Sequence, residues 1–443
     1  MRLVIVGNGI AGMEAAAAAR ASDPAATITI VSEESERLFS RTALMYVLAG
    51  QLSYRDIEPD PREQRDTLRA ERVRARVVRV EPDAHRLILG DGGILPYDRL
   101  ILATGSAPRA APWVGSDLRG IGHFVTLQDL RWLELCVHGR SGVDLPHRIE
   151  GPAGDREGSP YRLRPPVPRP RNPVVIGGGL IGVEVVECLL AAGMKPTFLW
   201  RDEWFWPLAL DRQEGEWIAA RLRAHGATVV GGADIRAFHG TDRVETVELA
   251  DGSRPCDLAV VAIGVVPNTA FLRDTFATAR GGIEVDDQLR TSAADVWAAG
   301  DCAAVPGDDG PHIETLWYTS RDQGRVAGRN TAGAADRYRR GPWYNSAKLM
   351  DDEYTTAGRI AGKGAGREWR FEEVGRVRSS LRIALAEDDR VLGFNALGRR
   401  WDHTVFLRWI AEGRALPWVL DHLRDASFDT ELVPPLQIPP EAR

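Results

Sequence analysis

The chain has 443 residues, 44% of them hydrophobic and 27% charged, with a formal net charge of -6. A chain of this size buries ample core and divides into two or three globular domains. Its mild acidic balance, without a basic stripe or an aromatic-interleaved Lys/Arg face, gives nucleic acid no electrostatic handle. No apolar run approaches the roughly eighteen residues of a membrane span, and Met1 leads into an apolar strand by Leu3, so a cytoplasmic protein with no signal peptide and no span is expected. Cys136, Cys188, Cys256 and Cys302 are widely spaced, with no C-x-x-C and no histidine cluster, which reads as small buried residues and no metal site.

The first predicted unit is a complete strand-helix-strand. Leu3-Val4-Ile5-Val6 is an apolar strand, Gly7-Asn8-Gly9-Ile10-Ala11-Gly12 a glycine-rich turn, Ala15 to Ala19 a helix, and Thr27-Ile28-Thr29-Ile30-Val31 a second strand that ends at Glu33. In a dinucleotide-binding turn of this form the first glycine permits the bend, the second lets backbone approach a pyrophosphate, and the third lets helix pack on strand. The pyrophosphate sits at the helix N-terminus, beside Ile10, Ala11 and Gly12 here, and Glu33 stands where an acid would take the ribose. A β-rich stretch around Val73 to Leu89, containing Val77, comes next. The strand Arg99 to Ala103 then runs into Thr104-Gly105-Ser106, small residues that bring backbone close to a cofactor.

Residues 138–172 are rich in Pro, Gly and Arg and lack any apolar period, so they read as a loop-like insertion, either a solvated linker or a docking arm. Beyond it the first plan repeats: Pro173-Val174-Val175-Ile176, the turn Gly177-Gly178-Gly179-Leu180-Ile181-Gly182, and the strand Pro196-Thr197-Phe198-Leu199. Two loops of this kind predict two bound dinucleotides in one chain. After strands at Val244 to Leu249 and Leu258 to Ala262, Ile263-Gly264-Val265-Val266-Pro267-Asn268 echoes the earlier Ala-Thr-Gly-Ser-Ala-Pro, as if the chain returns to its first domain. Trp297-Ala298-Ala299-Gly300-Asp301 ends another strand, and a helix is expected from Trp317 to Asn330.

A different region begins near Tyr344. Leu381 to Leu385 and Val391 to Asn395 flank Asp388-Asp389 as a hairpin, Trp401, Val405 and Trp409 fall on one helical face, and the tail Val433 to Pro440 is too rich in proline for a helix and is expected to lie extended over a neighbour. The aromatics Trp200, Trp204, Phe205 and Trp206 are expected to form an exposed edge suited to a subunit contact. The predicted fold class is α/β, with two Rossmann-like dinucleotide-binding domains of three-layer ββα type and a C-terminal α+β domain. Its boundaries are 1–115 and 256–333 for the first nucleotide domain, 116–255 for the second, and 334–443 for the C-terminal interface or dimerisation domain.

Taken in order, Gly7-x-Gly9-x-x-Gly12, Glu33, Ala103-Thr104-Gly105, Gly177-x-Gly179-x-x-Gly182-x-Glu184 and Ala299-Gly300-Asp301-Cys302 resemble the FAD-dependent pyridine nucleotide-disulfide oxidoreductase superfamily over about residues 1–333. The resemblance implies FAD on the first loop, with Glu33 on its adenosine ribose, Val77, Ala103, Thr104 and Gly105 lining it, and Gly300 and Asp301 at the ribityl or phosphate region. It implies NAD(P)H on the second loop, with Gly264 nearby. Phe39 to Tyr46 has no cysteine where the disulfide-using branches carry a redox-active one, so direct flavin chemistry is expected. The segment Ser32 to Arg41 is similar to the ferredoxin reductase and nitrite reductase flavoprotein branches, where the arginine also contacts FAD, and Glu314 to Arg325 is similar to ferredoxin reductases, where the aromatic at Trp317 lies close to the isoalloxazine.

Two positions depart from that pattern. Ferredoxin reductase-like members usually pair the nicotinamide-facing glutamate, Glu184 here, with a lysine whose place is taken by Tyr46. NAD-preferring relatives carry an acid at the second ribose, where this chain has Trp200-Arg201-Asp202-Glu203. Arg201 suits a 2′-phosphate, Asp202 or Glu203 suits NADH, and both readings stay open. The leading expectation is an FAD-dependent NAD(P)H oxidoreductase, with Glu184, Tyr46 and Trp317 at the reacting centre, that passes electrons to a protein carrier or small acceptor as a dimer or complex subunit. The alternatives are a flavin-holding structural subunit of a larger redox complex and an NAD(P)H oxidase or peroxidase.

Overall fold

The computed structural model describes residues 1–58, 68–141, 167, 169–307, 309–360, 366–374, 378–428, 431, 434 and 436–440. Most of the 138–172 insertion therefore lies outside the described residues. Contacts group the chain into two compact units, one of residues 1–171, 237–246 and 255–339 and the other of residues 172–236, 247–254 and 340–443.

The first unit is built on a parallel five-stranded sheet, Val296–Ala298, Arg99–Leu102, Arg2–Val6, Thr27–Ser32 and Glu71–Arg74 in spatial order. The central strands read as unbroken apolar runs because both faces are covered, as expected for a parallel sheet. Helices Ile10–Ser22 and Trp317–Thr331 contribute to one core with Leu3, Ile5, Leu100 and Ile101, and so do Val77, Val80 and Leu87 of the antiparallel strands Val77–Glu81 and Arg86–Leu89. The predicted echo is real, since Val265–Pro267 pairs antiparallel with Ser106–Pro108.

The two helices of this unit touch backbone to backbone. A Cβ added to Gly324 would lie 2.3 Å from the carbonyl oxygen of Ala11, and one added to Gly328 would lie 2.2 Å from that of Ala15. Two glycines facing two alanines, each pair one turn apart, are what permit that approach.

The second unit contains the parallel strands Pro173–Ile176, Thr197–Leu199 and Thr228–Val230 with helices Leu180–Ala191 and Arg212–Ala224. It also holds an antiparallel sheet in the order Tyr344–Leu349, Asp352–Gly358, Val391–Leu397, Ser379–Leu385, Arg367–Glu373. The predicted hairpin is present, turning through Asp389 at φ 63°. Trp401 differs from expectation: the helix begins at His403, after the Asp402 cap, and Trp401 instead bridges to Ser427. It reaches the same core as Trp409 from outside the helix. The tail also differs, because Ile438 and Leu436 pack on this unit's own core and the Pro434 carbonyl accepts from Arg399 at 2.6 Å.

The aromatic edge is a correction of the same sort. Trp200 is 3% exposed and Phe205 is fully buried, and their rings meet each other and Phe198. Trp206 meets Tyr354 edge-on at 5.0 Å. The sheet of residues 344–397 packs there, so Trp200 and Phe205 are core, while Trp204 and Trp206 are partly buried.

A buried ion pair joins that sheet to the Arg212–Ala224 helix. Arg382, 3% exposed, places Nη2 2.8 Å from Oε2 of Glu214, which is 1% exposed. Ser380 donates to the same carboxylate at 2.8 Å, and Arg382 also donates to the Ala209 carbonyl at 2.9 Å. Burial pushes the Glu214 carboxyl up while Arg382 opposes the shift. Removing one partner of such a pair strands the other charge, whereas removing both does not. Arg382→Leu is therefore expected to cost about 3–5 kcal/mol in urea unfolding, and adding Glu214→Leu to recover most of that loss.

Candidate functional site

The first glycine turn is fixed by its own fold at two of its three positions. Gly7 has φ +111°, and a Cβ there would fall 2.0 Å from the Ala103 carbonyl oxygen. A Cβ on Gly12 would fall 2.0 Å from the Gly7 carbonyl. Gly9 is different, because nothing in the protein lies within 4 Å of an added Cβ and its φ is an ordinary -69°. The protein's packing does not require glycine at that position; a ligand approaching the backbone would. Gly9 caps the Ile10–Ser22 helix without a side-chain hydrogen bond, so the amides of its first turn are available to an anion. The residues therefore fit a dinucleotide pyrophosphate.

Around this turn the structure gathers Ala103, Thr104, Gly105 and Asp301. The Thr104 hydroxyl donates to the Asn268 carbonyl at 2.8 Å, and Gly105 has φ +67° with open space beside it. Asp301 accepts from Ser106 at 2.7 Å and from Ser320 at 3.1 Å. Burial raises its carboxyl above the usual range, opposed by these two hydroxyls and by the charge of Arg41. Val77 turns its side chain into the apolar core, 5% exposed. Tyr46 and Trp317 are 36% and 39% exposed, and the Arg321 guanidinium lies 5.5 Å from the centre of the Trp317 ring. The four cysteines are buried and form no disulfide, and burial raises each thiol, so none is charged for thiol chemistry.

Sequence reasoning singled out Glu33, which is partly buried, and passed over its neighbour Glu34, 4% exposed. Glu34 takes both arms of Arg41, at 2.6 and 3.1 Å, and accepts from the amide of Leu127 at 3.0 Å, while Arg41 donates to the Val125 carbonyl at 2.6 Å. Asn8 inside the loop was also missed. Its amide donates to the Ser35 and Arg37 carbonyls at 2.7 and 3.1 Å, tying the turn to the chain that follows Glu33. The doubled acid after the strand and an asparagine where any residue would serve the turn were the available signals.

The second turn repeats the logic. Gly177 has φ +119°, a Cβ on Gly182 would fall 2.1 Å from the Gly177 carbonyl, and one on Gly178 would meet Trp200 at 2.8 Å. Gly179 again has nothing within 4 Å and φ -121°. It opens the Leu180–Ala191 helix, so Leu180, Ile181 and Gly182 supply that helix's first turn. Gly177 donates to the Leu199 carbonyl at 2.8 Å, which sets Arg201 two residues beyond the loop's anchor. The Arg201 side chain is 91% exposed and, among the described residues, makes one loose ion pair, with Asp202 at 4.0 Å, while Glu203 is engaged by Arg212. Gly264, in the first unit, has φ +99° and open space beside it.

Glu184 lies on the same helix. Among the described residues it has no ion-pair partner, and burial, followed by the charge of Glu187, raises its carboxyl from 4.5 to about 7. Glu187 has a counterion, Lys348 at 3.3 Å. Among the described residues no group of His, Cys, Asp and Glu forms a metal site, and no helix is long and apolar enough to cross a membrane.

Residues 1–324 match the pyridine nucleotide-disulphide oxidoreductase family. Rhodocoxin reductase of Rhodococcus erythropolis is 28% identical over 457 residues, covering 98% of this chain and 94% of that protein. The ferredoxin reductase component of chlorobenzene dioxygenase from Cupriavidus sp. (strain PS12) is 30% identical over 330 residues, 73% of each chain. Among solved structures, a NAD-dependent persulfide reductase from A. fulgidus superposes with a TM-score of 0.81 at 21% identity, covering 97% of this chain and 79% of that one, a likeness of fold.

The unpaired state of Glu184 has a consequence for stability. Its folded carboxyl holds a proton up to about pH 7 while the unfolded one releases it near 4.5, so the contribution present at low pH is lost as pH rises between those values. Glu184→Gln should therefore be more stable than the parent at about pH 8, by at most about 3 kcal/mol at 1.36 kcal/mol per pH unit, and about equal to it at pH 4.5. Urea unfolding at the two pH values checks this; a difference independent of pH refutes the assignment.

Proposed function

The chain belongs to the pyridine nucleotide-disulphide oxidoreductase family, and from that we propose a ferredoxin reductase that draws on NADPH and serves a small iron-sulfur carrier protein. It is an FAD-dependent NAD(P)H oxidoreductase that passes electrons on to a protein partner. FAD, when bound, accepts hydride from the reduced nicotinamide and releases electrons singly to a carrier.

The observation that carries this reading is the pair of open glycines. Gly9 and Gly179 are each free of any steric need in the protein, and each stands at the mouth of a helix whose first amides are uncapped by side chains. We assign the first loop to FAD, with Ile10, Ala11 and Gly12 on its pyrophosphate, Glu33 on the ribose, Arg41, Val77, Ala103, Thr104 and Gly105 lining it, and Gly300 and Asp301 beyond. We assign Gly177, Gly179, Leu180, Ile181, Gly182 and Glu184 to the nicotinamide nucleotide, with Gly264, Tyr46 and Trp317 near the reacting rings. Glu184, its carboxyl raised to about 7, would face the nicotinamide as a neutral acid below that pH and hydrogen-bond there without needing a counterion.

Arg201 supports NADPH over NADH, because a largely exposed guanidinium at the ribose end of the strand, held by Asp202 only loosely at 4.0 Å, suits a phosphate. The carrier is argued from the relative in a dioxygenase system, whose name makes it a ferredoxin reductase component. Buried cysteines that form no disulfide suit a cytoplasmic setting.

Gly179→Val should keep the fold and bound FAD but abolish anaerobic bleaching of the flavin by NADPH, whereas Gly182→Val should fail to fold well because it collides with the Gly177 carbonyl. Failure of both nicotinamides to bleach the parent protein would remove the reading. Arg201→Glu should lower kcat/KM for NADPH by about 10- to 100-fold, the size of a lost charge-assisted hydrogen bond, and leave NADH turnover equal or improved.

A further inference from the structure

The turn at Gly300 is held by a chain of buried hydrogen bonds. Gly300 has φ +82°, and an added Cβ would lie 2.9 Å from Cβ of Ala11, so the turn runs against the start of the Ile10–Ser22 helix. Its N–H donates to Oε1 of Gln323 at 2.7 Å. Gln323 is fully buried, and its Nε2 donates to Oε2 of Glu314 at 2.8 Å. Glu314 is 4% exposed, and the Tyr338 hydroxyl donates to the same oxygen at 2.5 Å. His312 lies 3.5 Å from the other oxygen.

This chain has a fixed direction. The Gly300 amide offers only a proton and the Glu314 carboxylate only lone pairs, so the Gln323 amide has one orientation that satisfies both. Gln323 cannot slide either, because the next residue is Gly324, seated on the Ala11 carbonyl. The residue that follows Gly300 is Asp301, whose own carboxylate is held by Ser106 and Ser320. A buried amide that loses one of these partners leaves a donor or acceptor unsatisfied in a dry site, which costs more than the bond itself contributes.

We propose that Gln323, oriented by Glu314 and Tyr338, is a positioning residue for the flavin-binding turn Gly300–Asp301, and that the buried carboxylate at the far end of the chain helps set the potential of the bound flavin. The proposal rests on the assignment of FAD to the first loop. Its reach is greater than holding a loop in place, because a hydrogen-bonded chain transmits the field of its terminal charge to the amide it ends on.

The chain can be reversed in composition without changing its shape. Gln323→Glu alone sets two carboxylates at hydrogen-bonding distance and should weaken FAD binding by about tenfold or more, the scale of a buried polar group left unsatisfied. Glu314→Gln alone should hold FAD within about threefold of the parent, since its amide oxygen can accept from both Gln323 and Tyr338. The double variant Gln323→Glu/Glu314→Gln restores a donor opposite an acceptor along the chain from Gly300 through position 323 to position 314, with the Tyr338 hydroxyl turning to accept the second hydrogen of the new amide at 314, so FAD affinity should return to within about threefold of the parent. Because the carboxylate then accepts directly from Gly300, the midpoint potential of its bound FAD should be more negative than the parent's. FAD dissociation is read by flavin fluorescence, the potential by equilibration with a reference dye, and folding of each apoprotein by circular dichroism.

A folded double variant that binds FAD no better than Gln323→Glu overturns the proposal, as does a loss of tenfold in Glu314→Gln. Rescue of affinity with an unchanged potential reduces Gln323 to a structural residue and also overturns it. If the parent protein itself binds no FAD, the functional reading fails and this proposal falls with it, an outcome distinct from those above because every variant then lacks flavin as well.

Discussion

The contact between the Ile10–Ser22 and Trp317–Thr331 helices is the constraint on which the first unit depends. Because Gly324 and Gly328 bring their backbone onto that of Ala11 and Ala15, the two helices have almost no freedom to rotate or slide. One of them begins at the first glycine turn, and the other carries Ser320 and Gln323 to the Gly300–Asp301 turn. A segment more than 300 residues along the chain from the first loop thus sets the far side of the same site. Side-chain packing alone would leave that register softer, since larger residues at the crossing have several rotamers and backbone against backbone has none.

The second unit solves its equivalent problem with charge. Glu214 caps its own helix together with Asp211 and at the same time receives Arg382 and Ser380 from the antiparallel sheet. Such a pair adds little net stability over an apolar substitute. It does fix which part of the sheet faces which turn of the helix, because a slipped register would bury an uncompensated charge. The aromatic cluster of Phe198, Trp200 and Phe205 sits beneath the second glycine turn, with Trp200 in contact with Gly178 and Gly231. Packing in this unit therefore reaches the nucleotide loop directly.

Much of this was legible in the residues. The two turns, the strands around them, the helix from Trp317 and the hairpin through Asp389 are all local patterns, and local patterns survive translation into structure because period and turn chemistry act within a few residues. What was missed depends on approach in space. Glu34 with Arg41 and Leu127, Gln323 with Gly300, and Glu214 with Arg382 join positions that nothing in the sequence places side by side. Trp200 and Phe205 were read as an exposed edge for the same reason: a run of aromatics announces burial or contact, and only the arrival of the Tyr354 strand decides that it is burial. Trp401 shows the limit of periodicity, since a four-residue spacing is satisfied equally by a helix and by the turn that leads into one.

The open middle glycines have a consequence for how such a protein changes over generations. Alterations at Gly7, Gly12, Gly177 or Gly182 damage folding and are removed along with the misfolded chain, whatever the nucleotide is worth to the cell. A side chain at Gly9 or Gly179 meets no such quality control. With the nucleotides placed at these glycines as proposed, each is separable from the scaffold by one codon, and a descendant relieved of either role would keep its shape and abundance while falling silent.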